Sequence, residues 1–145
     1  TLFDASDVRE TYGISSEEYV EGYVEQLQYL NKVLLTKVDE LLQQKPTPII
    51  ILQADHGPGA HTHFDDLSKT DLFERFSILN AIYLPAVKMP TLPAGFSSVN
   101  TFRLVLNECF DQQIEYLPDR SFYTPESNLA AHTEVTEKLW QRMNK

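Results

Sequence analysis

The chain has 145 residues, a formal charge of -9, a hydrophobic fraction of 42% and an aromatic fraction of 11%. That length suits a single domain spanning 1–145 around one core, and the aromatic content excludes a disordered chain. The acidic balance argues against nucleic acid as a partner, and no run approaches the roughly 20 apolar residues needed to cross a bilayer.

The first residues, to about 15, read as polar and irregular. They carry no signal-peptide pattern, and the missing initial methionine points to a piece of a longer protein. Ser15 and Glu18 have the spacing of a capping box. Val20, Tyr23, Leu27, Leu30, Leu34, Val38 and Leu41 then recur every three or four residues, which predicts a long amphipathic helix over about 16–44. Gly22 costs that helix about 1 kcal/mol of propensity, and the prolines of "QKPTP" end it.

Residues 48–54, "PIIILQA", form a continuous apolar run. Such a run reads as a strand buried on both faces of a parallel sheet. A helix leading into it is half of an alternating architecture. The expected fold class is therefore α/β, a partial α/β/α sandwich with a mostly parallel central sheet. Residues 55–70 are loop-like, "KTDLFERF" a short helix, and "SILNAIYLP" (77–85) a second strand. Pro85, Pro90 and Pro93 place the following segment in a loop.

Ser97, Ser98 and Asn100 offer helix N-caps. Val99, Phe102, Leu106 and Cys109 repeat at helical spacing and predict a helix over about 98–110. Cys109 is the lone cysteine, so an internal disulfide is excluded, and its apolar setting reads as a small core residue. "EYLPDRSFY" reads as a loop with a short strand near Phe122 and a turn held by an Asp119–Arg120 pair. A last amphipathic helix, about 133–143, presents Val135, Leu139, Trp140 and Met143.

Chemistry concentrates where the apolar run ends. Ligands gather at the carboxyl ends of strands in open α/β sheets, and Asp55 and His56 fall there. A carboxylate and an imidazole are common ligands of zinc or manganese. Gly57 lets the chain bend or pass close to a bound group. Asp-His-Gly also makes an ordinary turn, with Asp55 bonding its own backbone. His61 and His63 share the loop and suit a metal, an anionic substrate or plain solvation. Asp65 and Asp66 read as capping or solvated charges, and His132 as structural or exposed. Arg103 and Arg120 could contact an anion, although Arg103 also reads as an exposed charge. The sequence has no Gly-rich phosphate cradle and no serine in a nucleophile elbow.

The run "PIIILQADHGPG" resembles the second metal-binding motif of the alkaline phosphatase superfamily, in its sulfatase-like and phosphoglycerol-transferase-like branches. The resemblance extends over most of residues 17–123. It takes in the helix "YVEGYVEQLQYLNKVLLTKVDELL", the strand "ERFSILNAIYLP", the helix "SSVNTFRLVLNECF" and the closing "YLPDRSFY". It implies the C-terminal part of an alkaline-phosphatase-like fold, in which Asp55 and His56 ligate a divalent ion (Zn, Mn, Mg or Ca) and Gly57 shapes the turn. Some members supply a later histidine, for which His63 has the better spacing and His61 the poorer.

The family's nucleophile lies upstream of this motif, and nothing in residues 1–54 matches it. The resemblance thus implies a fragment of a hydrolase or transferase whose full-length form acts on small sulfate or phosphate esters, inert in isolation. A non-catalytic α/β binding or interaction module, and a degenerate member of the superfamily, are the alternatives. Truncated sheet edges would permit self-association.

Overall fold

The computed structural model describes residues 13–85 and 87–143. The polar opening up to residue 12 and the side chain of Met143 lie outside the described residues. Helix α1 spans Ser16–Leu42. Its capping box is formed as expected: the Ser15 hydroxyl accepts from Glu18 N at 3.2 Å, and Glu18 Oε2 accepts from Ser15 N at 2.9 Å. The Ser15 backbone N–H, and its hydroxyl beside the carboxylate, lower the pKa of Glu18.

The helix docks by its first turn. Tyr19 is buried against Ala60, with Ile14 and Tyr23 packed around the pair, and its hydroxyl accepts from Gly59 N at 3.0 Å. Beyond that turn half of the predicted stripe is bare: Val20, Leu27 and Leu30 are exposed, while Leu34, Val38 and Leu41 are part-buried.

Strand β1 (Ile50–Gln53) pairs with β2 (Asn80–Tyr83) in antiparallel register, from Ile50 opposite Tyr83 to Gln53 opposite Asn80. This overturns the expected α/β/α sandwich with a parallel central sheet. Two antiparallel two-stranded sheets are the only sheets among the described residues. The reason lies in the connection. A parallel return needs a crossover that carries the chain back over the sheet face. Here the connection is pulled in at the end where it left: Ala54 N donates to Leu79 O at 2.9 Å, and Gly57 N to Arg75 O at 2.7 Å. Its helix, α2 (Leu72–Phe76), has only five residues. The apolar run is not buried on both faces either, since Ile50 is buried, Ile51 and Leu52 are half-buried and Gln53 is exposed.

A 3-10 turn, Ser98–Asn100, leads into α3 (Thr101–Phe110). The helix exists, but its predicted face is turned outward. Thr101, Leu104 and Val105 are buried, whereas Phe102 is 68% exposed, Val99 and Leu106 are exposed, and Cys109 is half-buried. Thr101 Oγ1 donates to Gln53 Oε1 at 2.9 Å, which docks that face on β1.

Strands β3 (Phe122–Tyr123) and β4 (Thr133–Glu134) form the second pair, and α4 (Thr136–Met143) follows. Tyr123, Val135 and Leu139 make a buried apolar cluster, closed by Leu67, Leu72 and Phe76. Ion pairs knit its edge. Arg142 reaches Asp71 at 2.6 Å and Arg120 pairs with Glu134. Asp71 also caps α2, accepting from Glu74 N at 3.1 Å. No helix among the described residues is long and apolar enough to cross a membrane.

Candidate functional site

Strand β1 delivers Asp55 and His56 just past its last residue. Asp55 Oδ1 accepts from His56 N at 3.0 Å, a local bond that fixes the carboxylate beside the ring. Its other oxygen, Oδ2, stands 3.6 Å from His56 Nε2. The Asp55 side chain is 89% exposed and that of His56 34%. The two side chains therefore converge and face outward. Both line a cleft of about 850 Å³, together with Arg75, Asn80, Asp119, Arg120 and Trp140.

Gly57 is required by close approach. A Cβ built on it would lie 2.1 Å from Glu74 O and 2.8 Å from Ser77 O, so any side chain would collide with the end of α2. That contact brings Arg75 to the imidazole. Arg75 Nη1 lies 2.8 Å from His56 Nδ1 and 3.2 Å from Gly57 O, and its guanidinium stands over the Phe64 ring at 5.7 Å. His56 Nδ1 is also 2.9 Å from Gly57 O.

The other loop histidines go elsewhere. His61 Nδ1 meets Glu74 Oε2 at 2.7 Å, and His61 N donates to the second oxygen of Glu74 at 2.9 Å. The backbone of His63 is held by Thr70, and its carbonyl accepts from the Tyr123 hydroxyl at 2.8 Å. Neither histidine lines the cleft. Among the described residues no group of three or more His, Cys, Asp or Glu side chains is placed to hold a metal.

The Ser127 hydroxyl and then its backbone N–H, which donates to Asp65 Oδ1, lower the pKa of Asp65. Asp66 takes two bonds from Ser68 and an ion pair from Lys69, which together bring its pKa to about 2. His132 is exposed, its ring edge-on to Phe122.

The expected Asp119–Arg120 pair is not formed. Asp119 Oδ1 accepts from Ser97 N, Ser97 Oγ and Asn100 Nδ2 at 2.8, 2.6 and 3.1 Å, and Arg120 turns to Glu134. Three donors satisfy the carboxylate better than one guanidinium in solvent. Arg103 bonds the carbonyls of Val99 and Glu115 and serves as a loop tie.

Sequence reasoning passed over Arg75 and Asn80. Arg75 sits in the last turn of α2, where a cation ordinarily answers the helix dipole, so its position alone did not mark it. Asn80 Oδ1 is buried beside the cleft without a hydrogen-bond partner among the described residues, which only the folded chain reveals.

Searches found no matching family model, no similar curated protein and no similar solved structure.

Proposed function

We propose that this chain is part of a metal-dependent, sulfatase-like hydrolase acting on sulfate or phosphate esters, with Asp55 and His56 as two ligands of a divalent ion. The observation that carries this reading is the 3.6 Å approach of Asp55 Oδ2 to His56 Nε2 at the end of β1, open to the cleft. Two donors that share one ion at about 2.0–2.2 Å each lie between 3 and 4 Å apart, so the pair has a suitable bite. The carbonyl of Gly57, 2.9 Å from Nδ1, is the kind of acceptor that orients a ligating imidazole.

Bound there, the ion would polarise the ester and stabilise charge on the transferring group. The residues of this chain do the rest of the local work. Asp55 and His56 hold the ion, Gly57 keeps α2 close, and Arg75 adds a positive charge for the oxyanion. A stable site wants three or four protein ligands, so two hold an ion weakly and the chain alone is catalytically inert.

Calorimetric titration with Zn²⁺ and Mn²⁺ tests the reading. Weak one-site binding that is lost in both D55N and H56Q supports it. Unchanged binding in those variants, or none in the parent chain, refutes it.

One observation favours a second reading, a non-catalytic interaction module. Val20, Leu27 and Leu30 leave α1 with an exposed apolar stripe that a partner could cover.

A further inference from the structure

Nitrogen Nδ1 of His56 has two polar neighbours that make opposite demands. Arg75 Nη1 stands at 2.8 Å and Gly57 O at 2.9 Å. A guanidinium only donates and keeps its charge, so toward Arg75 the nitrogen must offer a lone pair. A carbonyl only accepts, so toward Gly57 the same nitrogen must carry a proton. It cannot do both. Arg75 Nη1 also reaches Gly57 O at 3.2 Å, and so can serve that carbonyl itself.

With Arg75 in place, the consistent arrangement is a neutral imidazole protonated on Nε2. That N–H then stands beside Asp55 Oδ2, 3.6 Å away, and a cation can use Nε2 only by first displacing the proton, which weakens the site. With Arg75 withdrawn, the proton belongs on Nδ1, donated to Gly57 O. Nε2 then presents a lone pair beside the carboxylate.

We propose that Arg75 is a positioning residue that sets the tautomer of His56, and that an oxyanion entering the cleft draws Arg75 away and opens the Asp55–His56 pair to a divalent cation. The second half rests on the cation reading given above. Arg75 lines the cleft and makes no ion pair among the described residues; its partners are the imidazole, a carbonyl and the Phe64 ring. A sulfate or phosphate offers the guanidinium a charged, fork-shaped match that neutral acceptors do not. The two ligands then reinforce each other, because whatever oxyanion binding does for the cation, cation binding does for the oxyanion.

The test uses the whole chain. Imidazole ¹⁵N spectra at mildly alkaline pH report which nitrogen of His56 holds the proton, in the parent chain, R75Q and R75K. Mn²⁺ titrations with and without sulfate report the coupling. The proposal expects the Nε2–H tautomer in the parent chain and in R75K, which keeps a cationic donor. It expects Nδ1–H in R75Q, and in the parent chain once sulfate is added. Mn²⁺ affinity rises about tenfold with sulfate in the parent chain, in line with the effect of a residue that orients a ligand, and no longer responds to sulfate in R75Q.

A proton on Nδ1 in the parent chain without sulfate, the same tautomer in R75Q, or a Mn²⁺ affinity indifferent to sulfate overturns it. Should R75Q fail to fold, the sulfate titration of the parent chain decides alone. If no form takes up Mn²⁺, the cation site is wrong and the coupling falls with it, while the tautomer spectra still decide what Arg75 does.

Discussion

Replacing Gly57 with alanine probes the contact on which the whole site is built. The new Cβ would sit 2.1 Å from Glu74 O, 2.8 Å from Ser77 O and 3.1 Å from Arg75 O. A carbon and a carbonyl oxygen rest at about 3.3 Å or more, so the end of α2 must retreat by roughly 1 Å. Those oxygens are backbone atoms and cannot swing aside as a side chain would. The retreat stretches the 2.7 Å bond from Gly57 N to Arg75 O beyond useful length. Losing that bond costs about 1 kcal/mol. Shifting packed backbone adds about 1–3 kcal/mol. Alanine recovers about 0.4–1 kcal/mol by restricting the unfolded chain. The net expectation is a loss of roughly 1–3.5 kcal/mol.

Urea unfolding of G57A and of G13A measures it. Gly13 has φ +66°, and a Cβ placed there would meet nothing within 4 Å, so G13A bears only left-handed backbone strain, at most about 1–2 kcal/mol. G57A within about 0.5 kcal/mol of the parent chain would refute the close approach, because that is the range of an ordinary surface change.

Further predictions concern the frame around the cleft. Leu104→Ala should cost about 2–5 kcal/mol and Phe102→Ala less than about 0.5 kcal/mol in chemical denaturation; the reverse order would mean that α3 packs by its other face. Asn100 is buried, donates to Leu117 O at 2.8 Å and accepts from Leu117 N at 2.9 Å. Asn100→Ala should cost about 2–4 kcal/mol and speed hydrogen exchange at Leu117, since two backbone groups lose their partner. The Asp66 carboxyl should titrate in the folded chain near pH 2, followed by NMR. Its folded pKa is depressed below the usual 3.8, so the stability it adds is present above that value and is lost as pH falls toward 2. A midpoint at the usual value would show that Ser68 and Lys69 do not hold it.

Local signals proved legible where one residue fixes one bond. The Ser15–Glu18 box, the proline stop after α1, and the positions of the short helix and of the strand at Phe122 follow from backbone capping and turn chemistry. Pairing direction was not legible. An isoleucine run suits a parallel or an antiparallel partner, and the antiparallel return, with its backbone bond from Ala54 to Leu79, is invisible in composition.

The face of α3 was misread for a related reason. Val99, Phe102 and Leu106 make the greasier stripe, yet Thr101 and Leu104 are the buried residues, and the Thr101 hydroxyl bonds Gln53 of β1. Strand β4 takes the first residues of the last predicted helix, which starts at Thr136 and not at 133, since two residues set no periodicity of their own. At the site, Asp55, His56 and Gly57 stood out by their place after an apolar run. Arg75, nineteen residues on from His56, is brought in only by the fold.

Anomalous scattering from crystals soaked in Mn²⁺ would locate the cation outright. A peak is expected between the Asp55 carboxylate and His56 Nε2, at the mouth of the cleft. A peak at the His61–Glu74 pair instead, or no peak beside β1 at saturating Mn²⁺, would contradict the Asp55–His56 site.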